Sequence, residues 1–227
     1  MPAEPLTLAV REHAAWCDLV CRLHGFAPQG DARLWWTPRR APDGLPDAAT
    51  LEADQPVLDV IGRIHDGPGA SVVDSFGDLD LSDQGWVVEA EPTWVARPPG
   101  AGDAADPPTF AAVKEKLVFA AWCHAAGDAR GAIPAGLRRA SGVTVLGRGD
   151  HTGFTDGVVV HRTVIGGTAV AGVWDRFGDV AATTAAAAQR HPDAWLIGRA
   201  VGTTLDAFLA AGFAAVGPLR VWRRTLG

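Results

Sequence analysis

The stretch TAVAGVWDRFGDVAATTAAAAQRHPDAWLIG, residues 168–198, constrains this chain more than any other. Its Val- and Trp-containing opening reads as a strand, Gly178 as a one-glycine turn, the Ala/Thr segment as a helix stopped by Pro192, and AWLIG as a second strand. Such a unit presents the N–H groups of the helix's first turn at the end of the strand, where they can hold a phosphate. The residues of the turn decide whether this one does.

Composition allows a sizeable core around that unit. Of 227 residues, 48% are apolar and 20% charged, the profile of an ordinary folded protein with room for one large domain or two small ones. The formal net charge of -6 argues against a surface that tracks phosphates, so no nucleic-acid partner is expected. The opening MPAEPLTLAVREHAAW has neither a basic n-region nor an unbroken apolar stretch, and no apolar run approaches the ~18 residues of a membrane span. A cytoplasmic protein with no membrane partner is the expectation. Three cysteines, none in a C-x-x-C pair, read as reduced thiols.

Upstream, residues 7–24 predict a helix with Thr7 as cap, Gly25 as stop, and Trp16, Leu19, Val20 and Leu23 on its apolar face. ARLWWT, ASVVDSF and GWVVEAEPTWVAR predict strands, and DQPVLDVIGRIHDGPG a helix with Pro56 in its first turn. PPGAGDAADPP, residues 98–108, is a linker. Beyond it, TFAAVKEKLVFAAWCHAAG predicts a long amphipathic helix with Phe110, Val113, Leu117, Ala121 and His124 along one stripe. A short helix (PAGLRRAS), three strands (VTVLGRG, DGVVVHRT, TAVAGVWDRF), a helix over 179–191, the strand AWLIG, the helix TTLDAFLAAG and the extended AAVGPLRVWRR complete the order. This gives a mixed α/β chain: an N-terminal α/β extension over 1–97 whose last strand, 85–97, is shared with the core, then the linker, then a core over 109–227. GWVVEAEPTWVAR and GFAAVGPLRVWRR echo each other as Gly-aromatic, apolar run, one Pro, then Trp and Arg. Two edge strands of like composition and a degenerate second copy explain that echo equally well.

From residue 85 this order, closing on AGFAAVGPLRVW, resembles the GNAT superfamily of acyl-CoA-dependent N-acyltransferases. The resemblance covers roughly the last 140 residues and lies in topology more than in motifs. It implies a mixed sheet flanked by helices in which the fourth strand splays from the fifth and holds pantetheine, here beside Val173 and Trp174. It also implies that the following turn, WDRFGDVAA, meets the pyrophosphate of acetyl-CoA or another acyl-CoA, with Arg176, Gly178, Asp179 and Val180 as the contacting residues. The turn departs from the family's Q/R-x-x-G-x-G/A. Val180 stands where a small residue is wanted, and Asp179 sets a carboxylate at the helix N-cap, where it competes with an anion for the N–H groups.

Many members of the family use a tyrosine as general acid, and this chain has none. The matching region, GRAVGTTLDAFL, offers Thr203, Thr204 and Asp206, and a threonine hydroxyl donates weakly. Candidates for a general base are Asp156, His161 and Asp175, with His161 favoured for its ordinary pKa near ~6.5. Transfer of an acyl group to a small-molecule amine, mainly by positioning, is the implied function. A divergent protein of the same fold that binds a small ligand or does other chemistry without acyl-CoA is the alternative.

Two other patterns carry less. His13, Cys17, Cys21 and His24 share one helical stripe, but four positions spanning two turns cannot surround one ion, and buried cysteine is the commoner outcome, so no metal is assigned. Asp74, Asp78, Asp80 and Asp83 lack the central Gly and twelfth-position Glu of an EF-hand and read as a solvated turn. Trp35, Trp36, Trp86, Trp94, Trp174 and Trp222 fall on predicted strands and suit the core or an apolar pocket between the two parts.

Overall fold

The computed structural model describes residues 4–101, 109–128 and 131–225, so most of the Pro/Gly-rich linker lies outside the described residues. Helix α1 (Pro5–Leu23) leads into strands β1 (Gln29–Gly30), β2 (Leu34–Trp36) and β3 (Ala48–Thr50), helix α2 (Val57–Ile61), and strands β4 (Ser71–Asp74), β5 (Trp86–Ala90) and β6 (Thr93–Arg97). Then follow β7 (Ala111–Ala112), α3 (Lys116–Ala125), β8 (Val143–Asp150), β9 (Gly153–Ile165), β10 (Thr168–Phe177), α4 (Val180–Arg190), β11 (Trp195–Ala200), α5 (Thr203–Ala210), β12 (Ala214–Pro218) and β13 (Arg220–Arg224).

These strands form two mixed sheets, ordered β1-β2-β3-β4-β13-β5 and β12-β6-β11-β10-β9-β8-β7. The two echoing stretches are what joins them. Residues 86–97 and 214–224 run antiparallel as one continuous ribbon, with Arg224 opposite Trp86 and Trp222 opposite Val88 in the first sheet, and Pro218 opposite Thr93 and Ala214 opposite Ala96 in the second. At the crossing, the Leu219 N–H donates to the Pro92 carbonyl at 3.0 Å. Each half thus lends its last strand to the other's sheet, and each changes sheets beside a proline, which cannot donate to a ladder. The halves also repeat an order: β3-α2-β4 and β10-α4-β11 both place a helix between two parallel strands.

Helix α1 lies between the sheets. Its Leu8, Val10, Trp16, Cys17 and Val20 share one core cluster with Trp35, Ala49 and Val73 of the first sheet and with Trp94, Val159, Val170, Trp174 and Ile197 of the second. Each such large side chain contributes on the order of 2 kcal/mol by leaving water. The far face of the second sheet is covered by α4 and α5 through Val173, Ala187, Leu196, Phe208 and Phe213. With both faces covered, the middle of β10 is buried without alternation, which is why VAGVW reads as a continuous apolar run.

Three sequence expectations shift. Helix α1 starts at Pro5, with Glu4 and not Thr7 at the cap, because proline's fixed φ and missing N–H suit a first turn. Helix α3 begins only at Lys116. Residues 111–112 instead pair with β8, and the Val113 N–H reaches the Val145 carbonyl at 2.8 Å, so the exposed edge of β8 claims the segment expected to be helical. The buried face of α3 is accordingly Phe119 and Trp122, while Leu117 is 79% exposed. Asp74 is fully buried, not solvated: its carboxylate accepts from the N–H groups of Phe76, Gly77 and Leu79 and shapes the turn after β4. Among the described residues no helix is long and apolar enough to cross a membrane.

Candidate functional site

Parallel β10 and β11 pair only at Val170–Trp195, Ala171–Leu196 and Gly172–Ile197, and then part. On its other side β10 loses register with β9 between Trp174 and Phe177, and Asp175 there has φ of 44°. A bulge adds a residue to one strand and bends it, and Asp tolerates the left-handed region better than most side chains. The bend opens a cleft of about 230 Å³ at the strand ends, lined by Val173, Trp174, Asp175, Arg176, Arg199 and Phe208 from the second half and by His13, Trp16 and the 43–45 loop from the first. Trp16 and Trp174 stack across it with ring centres 6.3 Å apart.

Asp43, Asp175, Arg176 and Arg199 line this cleft. Asp175 is exposed at the mouth, yet the surrounding protein strips water from its carboxyl and, with Asp128 adding negative charge, pushes its pKa up to about 6 against the pull of Arg199. Arg199, on the parted end of β11, is enclosed enough that burial lowers its guanidinium pKa, and among the described residues it makes no hydrogen bond or ion pair. Burial and Arg199 together hold the His13 imidazole well below its usual pKa, so it is neutral. Arg176 donates to the Gly178 carbonyl at 3.1 Å and lies over the Phe208 ring at 5.4 Å.

Behind the cleft wall lies a carboxylate that sequence reasoning missed. Glu12 of α1 is fully buried, with Oε1 2.8 Å from His161 Nδ1 of β9 and 3.3 Å from the Trp174 indole nitrogen, and the Gly172 N–H donates to it as well. Burial pushes its pKa up against these three donors, and Oε2 has no partner. Only glycine fits at 172: a Cβ there would stand 2.3 Å from both Glu12 oxygens. His161, 7% exposed and sharing its Nδ1 with Glu12, sets its ring 5.8 Å from that of Trp16 and does not line the cleft. The signal for Glu12 was in the sequence, since it falls three and four residues from Ala9, Trp16 and Leu8 on the helix's apolar stripe.

At the start of α4 the protein meets its own carboxylates. The Asp156 Oδ1 accepts from the Asp179 N–H at 2.7 Å, and the Asp179 side chain caps Ala181 N–H at 3.1 Å. Gly178, at φ of 77°, allows this approach, because a Cβ would stand 2.4 Å from Asp156 Oδ1. Burial raises the Asp156 pKa, but the Asp179 N–H, Thr155 and Arg148, whose Nε is 2.7 Å away, outweigh it and keep the carboxylate ionised. The main-chain N–H groups of Val180 and Ala182 remain outside the helix's own ladder.

The structure therefore gathers Val173, Trp174, Asp175 and Arg176 in the cleft and places Gly178, Asp179, Val180 and Asp156 together at the head of α4. Thr203 is exposed at the start of α5 and does not line the cleft. In the helical stripe, Cys17 Sγ lies 3.6 Å from His13 Nε2, whereas His24 turns to the Ala132 carbonyl. Among the described residues no three potential metal ligands gather at one point.

No family model matches the sequence, and no curated protein matches it. Solved structures do match the fold. A GCN5-related N-acetyltransferase from Kribbella flavida superposes with a TM-score of 0.62 at 14% identity, covering 96% of each chain. A protein assigned to the GNAT family from Novosphingobium aromaticivorans gives 0.58 at 13% identity over 98% of this chain and all of that one. A conserved protein of unknown function from Staphylococcus epidermidis gives 0.62 at 10% identity over 88% and 95% of the two chains. The chain has the mixed α/β fold of the GCN5-related N-acetyltransferases.

Proposed function

We propose that the protein transfers an acyl group from acyl-CoA to a small-molecule amine, and that residues 109–227 form the core of this site while the N-terminal half closes it. The observation that carries this reading is the cleft where β10 and β11 part with Asp175 at its bulge. Past Gly172 and Ile197 the facing edges of the two strands no longer pair with each other, so an extended, amide-bearing chain such as pantetheine can lie between them as a strand would. Val173, Trp174 and Phe208 give it apolar walls.

Asp175 is the proton acceptor in this reading, its pKa of about 6 being matched to neutral pH. The ammonium gives one proton to Asp175, the amine forms a C–N bond to the thioester carbonyl as the C–S bond breaks, and its second proton leaves with the thiol of CoA. Holding amine and thioester together supplies much of the acceleration, in keeping with a chain that has no tyrosine. The head of α4 fits the pyrophosphate only in part. Two of its donors are taken by Asp156 and Asp179, the N–H groups of Val180 and Ala182 are left, and Arg148 and Arg176 offset the two carboxylates. Weak, salt-sensitive binding of CoA follows.

The same two carboxylates favour the second reading, a ligand-binding protein of this fold that does not use acyl-CoA. Isothermal titration with acetyl-CoA and CoA at low and high salt separates the two. Micromolar binding that weakens with salt supports acyl transfer, and no heat up to millimolar CoA defeats it.

A further inference from the structure

We propose that the acceptor amine carries its own carboxylate, with the Arg199 guanidinium binding that carboxylate and Asp175 facing the ammonium. This names the acceptor for the acyl transfer proposed above and rests on that reading for its chemistry, though not for binding.

Arg199 is the reason. The residue is half-buried, and its guanidinium has lost part of its water without gaining, among the described residues, a hydrogen bond or ion pair in exchange. The groups around it do not neutralise it. His13 is neutral, burial holds the Cys17 thiol far above its usual pKa and so protonated, and Arg176 shares its sign. In the adjoining groove Glu89 is already paired with Arg223 at 2.8 Å, and Asp43 at the cleft rim has interactions of its own. Asp175 acts on Arg199 through space, yet no ion pair joins them. One cleft therefore holds a cation and an anion that have no ion-pair partner among the described residues, the complement of a zwitterion. Arginine's planar fork also suits a carboxylate better than a lone acceptor atom.

The position of Arg199 assigns the carboxylate to the acceptor rather than to the acyl group. It stands where the cleft meets a second groove of about 350 Å³, lined by Pro46, Val73, Pro92 and Val221 at the seam between the halves. That groove is bordered by the first sheet and the ribbon, and no residue of the α4 head lines it. An amino acid entering along the seam would bring its carboxylate to Arg199 and its amine toward Asp175, opposite to the donor.

The test uses the whole protein and matched pairs of probes, L-phenylalanine with phenethylamine and L-lysine with cadaverine, titrated with and without CoA. In at least one pair the carboxylated member should bind roughly 10- to 100-fold tighter, and Arg199→Gln should erase that ratio. Arg199→Lys, which keeps the charge and loses the fork, should retain part of the ratio and stands in should the glutamine variant not fold. Equal binding within both pairs, no binding of any member, or a ratio that survives Arg199→Gln overturns the proposal. So does a charge preference that appears only on the donor side, as tighter binding of succinyl-CoA than of acetyl-CoA that Arg199→Gln removes. Amino-acid binding without CoA binding would defeat acyl transfer and leave this assignment standing.

Discussion

Replacing the buried Glu12 with alanine tests the account of how the two halves meet. The substitution strands the His161 Nδ1–H, the Trp174 indole N–H and the Gly172 N–H in a region closed to water. A stranded buried donor costs about 1–3 kcal/mol, so the two side chains alone give about 2–6 kcal/mol, and the missing carboxyl leaves a small void. Relief from burying a carboxylate offsets part of this. The net expectation is a loss of about 4 kcal/mol. For a chain of this size 1 kcal/mol moves Tm by about 2–4 °C, so Glu12→Ala should lower it by about 8–16 °C. Glu12→Gln keeps an acceptor oxygen in place and should cost only about 1 kcal/mol. Thermal and urea denaturation of the three proteins, followed by circular dichroism, measure both numbers. An alanine variant within about 1 kcal/mol of the parent, or a glutamine variant as damaged as the alanine one, refutes the reasoning.

Gly172→Ala forces a methyl group to 2.3 Å from the same oxygens, so it should destabilise by about 1–3 kcal/mol, and by less when combined with Glu12→Ala, as urea midpoints would show. Asp175 makes the pH dependence specific. Its folded pKa of about 6 exceeds its ordinary 3.8, so the folded state holds the proton more tightly and stability falls as pH rises between those values. Asp175→Asn should therefore gain in Tm over the parent above pH 6 and not at pH 4. In the acyl-transfer reading kcat/KM rises with pH to a plateau above about 6, and Asp175→Asn loses that limb along with a factor of about 10²–10⁴ in rate. Asp179→Ala removes a helix cap worth about 1 kcal/mol and frees the Ala181 N–H, so titration should show tighter acetyl-CoA binding in a slightly less stable protein.

Much of the fold was legible because its signals are local. Gly178, the Ala/Thr run and Pro192 mark out α4, and Asp179 caps it as its position suggested. The echo between 85–97 and 212–224 was legible as well, yet not the exchange of strands behind it. A period of two says which residues share a face of a strand but not which sheet the strand joins, and neither Pro92 nor Pro218 announces a change of partner. Residues 111–113 misled for a related reason: their apolar spacing fits a helix, and only the distant edge of β8 makes them extended. At the site, Asp175 stood among the candidates from the start, but the bulge that aims it does not interrupt the pattern VAGVWDRF. Arg199 went unnoticed because a charge near a strand's end ordinarily reaches water, and here α1 and the 43–45 loop, lining the same cleft, leave it half-buried.

That covering links the exchange of strands to function. Neither half makes the cleft alone, since its floor with Asp175, Arg176 and Arg199 comes from β10 and β11 while Trp16, His13 and the 43–45 loop come from the first half. The first sheet and α1 are held against the second sheet in three ways. The ribbon binds the sheets edge to edge, the Trp94 indole of β6 reaches back to the Ser75 carbonyl at 3.0 Å, and Glu12 ties α1 to β9 and β10. Two of these run through buried polar groups, which lose strength steeply with small displacement because no water can replace the partner. A rigid seam keeps the Arg199 guanidinium half-buried. Were the halves to part by even one layer of water, Arg199 would be fully hydrated, and the difference between an anion bound and an anion absent would shrink to that of a surface ion pair, about 0–1 kcal/mol.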